Sequence, residues 1–163
     1  MHECRKKIVD GKAVKAPWLR ALKAYLFAAA AGHFLWESAQ LPFYVIWTEG
    51  DIQEKSFAVL HCTAGDVLIA IASLAAGLVL AGDPVWPRRR FLFTAAVTLF
   101  AGLGYTIYSE WRNVELENWT YAPSMPTIPP LGTGLTPALQ WVAIPLLAFW
   151  AVRRASRRDP DRA

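Results

Sequence analysis

The sequence predicts an all-α fold: a four-helix transmembrane bundle with both termini cytoplasmic and a long Trp/Pro-rich outer loop between helices three and four. Three observations predict it. Of 163 residues, 55% are apolar and only 18% charged. The apolar residues gather into four blocks of about 20, enough to cross a bilayer core of about 30 Å. The short segments between these blocks hold nearly all the charge, and its sign alternates from one side to the other.

Residues 1–21 form a basic cytoplasmic segment. The transmembrane domain follows over 22–152, with helices expected at about 22–46, 58–81, 91–109 and 135–152. The start resembles a signal peptide, but its apolar pattern runs on to Trp47, so a retained helix is expected. Helix two contains "VLIAIASLAAGLVLAG", apolar all round, with small residues that let helices approach closely. Helix four is short and carries Pro145, which should kink it. Residues 153–163 are a basic cytoplasmic tail.

Charge sets the orientation. Seven basic residues precede helix one, Arg88, Arg89 and Arg90 lie between helices two and three, and five more follow helix four, so fifteen of the 17 Lys and Arg share one side. The positive-inside rule places that side in the cytoplasm. The pI of about 9.3 is then explained by topology, and no nucleic-acid partner is expected. The expected location is the cell inner membrane, with membrane lipid as partner. Cys4 and Cys62 fall on opposite sides and suggest no disulfide or Cys-based metal site.

The connection 48–56 is a short acidic turn. The one after helix three, "EWRNVELENWTYAPSMPTIPPLGTGLTP", is long for a compact domain. Its aromatic residues suit an interfacial anchor or a lid over a cavity between helices.

Ionisable groups within a membrane span usually face the bundle interior or a wet cavity. His33, Glu37, Gln40 and Tyr44 recur at steps of four, three and four, within an arc of about 60° on one helix. Asp66 on helix two lies at about the same depth as Glu37, near 13 Å from the outer end at the α-helical rise. The two can meet as a carboxylate pair sharing a proton. His61 belongs to the mouth, and Cys62 and Ser73 share the Asp66 face. Helix three adds Thr94, Thr98, Tyr105 and Tyr108 along one face, with Glu110 expected as a snorkelling charge at the rim. Helix four adds Gln140 and Trp141. The expected pocket opens outward or sideways into the outer leaflet.

The spacing H-x-x-x-E can place two metal ligands on one helix face, but H-E-x-x-H is absent and His33 and His61 lie at different depths, so no metal is expected. No P-loop, Rossmann or G-x-S-x-G motif occurs, and no cofactor is expected. The four-helix lipoprotein signal peptidases share the size, but their asparagine- and glycine-containing aspartate motifs are missing. Acid/base chemistry on a lipid-soluble molecule fits better: a carboxyl and a neutral His one turn apart can give and take protons.

"HFLWE" (33–37), Asp66, "YTIYSEWRN" (105–113) and "QWVAIP" (140–145) together resemble the emopamil-binding protein and sterol isomerase family, the EXPERA domain, over most of residues 30–150. The resemblance implies His33 and Glu37 as proton-transfer partners, Asp66 as a second acid and Trp141 as a cation stabiliser. Gln40, Tyr44, Tyr105, Tyr108 and Gln140 would line the substrate site. Two features depart from that pattern. The amide expected three residues before the Trp is Ala138 here, with Gln140 adjacent instead, and the Pro-rich loop is extra.

Two functions are therefore expected. One is a membrane-embedded binder or isomerase of a hydrophobic lipid of sterol, carotenoid or polyprenoid type. The other is a non-enzymatic transport component or assembly partner whose buried polar groups hold helices together.

Overall fold

The computed structural model describes residues 17–82 and 86–157. Cys4, five of the first seven basic residues, Arg158 and Arg162 lie outside the described residues, as does part of the turn at 83–90. The fold is mostly helical: α1 (Pro17–Gln40), a 3-10 turn (Leu41–Phe43), the single-turn α2 (Ile46–Glu49), α3 (Ile52–Ala81), α4 (Phe91–Glu115) and α5 (Leu135–Arg157). The long helices pack in a ring, α1 on α3, α3 on α4, α4 on α5 and α5 back on α1.

Among the described residues three helices, α3, α4 and α5, are long and apolar enough to cross a membrane. The first of the four expected spans is not among them, because Arg20, Lys23, His33 and Glu37 dilute its apolar character. Its outward face is nonetheless greasy: Phe27 is 79% exposed while His33 is 1% exposed. The same inversion runs round the ring, with Leu68, Phe100 and Trp150 outward and Thr94, Thr98 and Gln140 inward.

Helix ends follow local chemistry. α1 stops at Gln40, six residues short of the expected 46, because Pro42 supplies no N–H and its ring disfavours continuation. Tyr44 is therefore not on the α1 stripe; it sits in extended backbone after the 3-10 turn. α3 begins at Ile52, earlier than 58. Asp51 caps it by accepting from the Gln53 and Glu54 amides, and Glu54 reaches back to the Asp51 N–H at 2.8 Å, a reciprocal capping box. It ends at Gly82, whose φ of 57° is the left-handed cap that glycine adopts freely. α4 runs on to Glu115 and α5 to Arg157, past the expected 109 and 152. Pro145 lies inside α5, which continues on both sides of it.

The two halves of the ring differ. At the arginine-rich end, Tyr25, Leu74, Trp86, Phe149 and Val152 form an apolar core. The Tyr25 and Phe149 rings meet at 5.2 Å between centroids, and Phe91 meets Phe149 edge-on at 5.5 Å. α3 and α4 touch closely here, since a Cβ on Gly77 would lie 2.8 Å from Thr98 Oγ1. At the opposite end, residues 116–134 fold over the helix ends. β1 (Thr127–Ile128) pairs antiparallel with β2 (Thr133–Gly134), and Gly132, at φ 68°, supports the turn between them. The Val45 N–H donates to Thr120 O at 3.0 Å and the Ala122 N–H to Phe43 O at 2.9 Å, which fastens this loop to the α1–α2 connection.

Candidate functional site

The buried face of α1 reads Ala21, Tyr25, Ala29, His33, Glu37, Gln40. It is apolar at the arginine end and polar at the loop end, so one stripe serves both the core and the site. His33, Glu37 and Gln40 point at Asp66 of α3 and at Gln140 and Trp141 of α5, and all six side chains are buried.

Gln140 is the hub. Its Nε2 lies 2.9 Å from each of Glu37 Oε1, Asp66 Oδ2 and His33 Nδ1. Trp141 Nε1 donates to the other Asp66 oxygen at 3.1 Å, and Gln40 Nε2 donates to Glu37 Oε1 at 2.9 Å. Trp36 Nε1 orients Gln40 by donating to its Oε1 at 3.2 Å. His33 Nδ1 is 3.3 Å from Asp66 Oδ2, and its ring leans on Trp141 at 5.0 Å between centroids.

A primary amide nitrogen carries two hydrogens, which suffice for Glu37 Oε1 and Asp66 Oδ2; the third neighbour, His33 Nδ1, can carry its own hydrogen in the neutral imidazole and donate it to Asp66 Oδ2. Replacing Gln140 with leucine leaves these two buried carboxyl oxygens short of a donor. We expect Gln140→Leu to lower stability by about 2–4 kcal/mol, from the cost of unsatisfied buried groups, as a fall in midpoint on denaturant titration in mild detergent.

The cluster forms one wall of a cavity of about 890 Å³. Glu37, Gln40, Asp66 and Gln140 lie at its depth, and Trp119 and Thr120 of the loop contribute to its wall. His61 lines it while exposed and stacked on Phe57 at 5.4 Å, which suits the expected place at the mouth. Cys62 lines it too.

Helix α4 requires three corrections. Its buried face is Thr94, Thr98, Gly102, Thr106 and Glu110, a strict step of four. Tyr108 therefore points away: it is 55% exposed, packs on Trp111 and does not line the cavity. Tyr105 lines the cavity edge but is also half exposed. Glu110 is not a snorkelling charge. It is buried and accepts a short hydrogen bond from the Tyr121 hydroxyl, which in turn accepts from the Gly134 N–H at 2.9 Å. Burial and the neighbouring Glu110 push the Tyr121 hydroxyl well above its ordinary pKa, so it remains a donor. Tyr44, displaced from α1, still lines the cavity and packs edge-on against Tyr121 at 5.5 Å.

Sequence reasoning missed Thr106 and the Glu110–Tyr121 pair. The step of four from Thr94 to Glu110 was the available signal for the α4 face. Among the described residues, no group of three or more His, Cys, Asp and Glu is arranged to hold a metal ion. The chain matches no protein-family model, no curated protein and no solved structure.

Proposed function

We propose that the protein is a four-span inner-membrane protein whose pocket binds a hydrophobic lipid of sterol, carotenoid or polyprenoid type and moves a proton on it. One observation carries this reading: two carboxyls and an imidazole converge on a single amide at the wall of a cavity large enough for such a molecule. The outward apolar face of α1 supports its role as the fourth span, with its polar stripe turned to the bundle interior. The fifteen basic residues on one side support cytoplasmic termini.

The chemistry is a double-bond shift. One carboxyl adds its proton to an alkene carbon, a cation forms, and a second group removes a proton from a neighbouring carbon, so no net proton is consumed. Glu37 and Asp66 are the two acids at the cavity wall, as the resemblance to the sterol isomerase family implies. His33 and Trp141 lie behind that wall and do not line the cavity: His33 Nδ1 stands beside Asp66 Oδ2 and Trp141 Nε1 donates to Asp66 Oδ1, so Trp141 holds an acid in place and does not meet the cation, unlike the role that the resemblance implies for it.

A second reading is favoured by a different observation. Glu37 Oε1, both Asp66 oxygens, Gln140 Nε2 and Trp141 Nε1 find partners within the cluster, as a structural seam between helices would require. Native mass spectrometry of gently extracted protein separates the two. A stoichiometric apolar ligand is expected; a bound partner protein with no lipid would establish the structural seam instead.

A further inference from the structure

Five glycines lie inside the long helices: Gly32, Gly65, Gly77, Gly102 and Gly104. Glycine is the poorest helix former after proline, so each weakens its helix unless something requires it. In membrane helices the usual requirement is close packing. Three glycines meet it. A Cβ at Gly32 would lie 2.9 Å from Ile144, one at Gly77 2.8 Å from Thr98 Oγ1, and one at Gly102 would overlap the Trp141 ring. Gly65 and Gly104 do not meet it. No atom lies within 4 Å of a Cβ built at either, and neither has the positive φ that calls for glycine.

The two differ in what they face. Gly104 is exposed and lines no part of the main cavity, whereas Gly65 is half-buried and lines it. At about 100° per residue, His61, Ala58, Ile69, Cys62 and Asp66 spread over an arc of about 140° of α3, and all five line the cavity. Position 65 falls inside that arc, so a side chain there would point the same way. The next residue is Asp66, whose two carboxyl oxygens are held by Gln140 and Trp141. An occupant therefore has to come to the acid, and a reacting carbon has to come within about 3–3.5 Å. A side chain at 65 would grow into the space beside that approach.

We propose that Gly65 is a specificity-determining position of the pocket: its missing side chain leaves room for the carbon skeleton of the bound lipid to lie against the α3 backbone next to Asp66. This inference rests on the pocket being a ligand site. It predicts effects of opposite sign, since a side chain at 65 strengthens the helix and weakens binding. A glycine required by packing would lose stability instead.

The test uses full-length protein in lipid nanodiscs and two photoreactive probes, a diazirine-bearing sterol and a diazirine-bearing polyprenol. Both are uncharged, because acids line the cavity and neither Lys nor Arg does. At least one should label cavity-lining residues, and excess of the same lipid without the diazirine should compete this away. Gly65→Ala should raise the unfolding temperature by about 2–4 °C, as the better helix former. It should cut competable labelling about tenfold or more, the scale of one misplaced methyl group in an apolar pocket. Gly65→Leu should abolish that labelling. Gly104→Ala should stabilise to a similar extent and leave labelling unchanged. A Gly65→Ala protein less stable than its parent would make the glycine a packing residue and overturn the proposal. Undiminished labelling of both Gly65 variants overturns it too, while the competable signal still upholds the pocket. Equal loss of labelling in Gly104→Ala places the effect in helix strength, not in the cavity, and overturns it likewise. Absence of competable labelling by both probes overturns the pocket reading and the role of Gly65 with it.

Discussion

Replacing Gly102 with alanine is expected to dislodge Trp141 and disable the site without altering a single polar group. A Cβ at position 102 would lie 2.1 Å from Trp141 Cζ3 and 2.3 Å from Cε3, far inside van der Waals contact. The indole cannot simply withdraw, since it is fully buried and backed by the His33 ring. Over-packing of this kind costs about 1–3 kcal/mol or more, and losing the Trp141 bond to Asp66 adds about 1–3 kcal/mol for a buried group left unpaired. Gly102→Ala should therefore lower the unfolding midpoint sharply and alter Trp fluorescence. Gly104→Ala is the control. Nothing lies within 4 Å of a Cβ there, and alanine is the better helix former by about 1 kcal/mol. Equal behaviour of the two variants would show that α4 and Trp141 are not packed as described.

Glu37→Gln is expected to keep the fold and stop the chemistry. The new side chain has the same shape, and its Oε1 can still accept from Gln40 and Gln140, the two bonds that hold Glu37 at 2.9 Å. What it cannot do is give or take a proton. If the pocket turns over a lipid as proposed, that turnover should fall about 10²–10⁴-fold, the usual weight of a positioned acid or base, while stability shifts by less than about 1 kcal/mol. Undiminished turnover would remove the acid/base role. A large loss of folded protein would make the carboxyl structural and favour the seam reading.

These two residues also show what the sequence could and could not disclose. Glu37 was legible, because a polar side chain in an apolar block at helical spacing from His33 and Gln40 must share their face. Its meeting with Asp66 followed from counting residues inward from each helix end. Gly102 was not legible as a contact, because its importance lies in an indole on another helix. Glu110 was misjudged because its partner, Tyr121, lies eleven residues on, in a loop whose path no periodicity reveals. Helix ends were misplaced wherever hydropathy stood in for chemistry. The Asp51–Glu54 capping box carries α3 into a polar stretch, and Pro42 ends α1 inside an apolar one.

The tight contact at Gly77 bears on the transport alternative. Beneath the acid cluster, Trp141, Ala148 and Val152 have no measurable exposure, and Thr94 and Thr98 close against α3. The chamber is a cul-de-sac with a hydrocarbon floor. A solute entering the chamber from the loop end meets a closed floor at the level of Trp141, Thr94 and Thr98. A translocating role would require α3 and α4 to part at Gly77, and cross-linking them there would arrest it while leaving the loop-end chamber open.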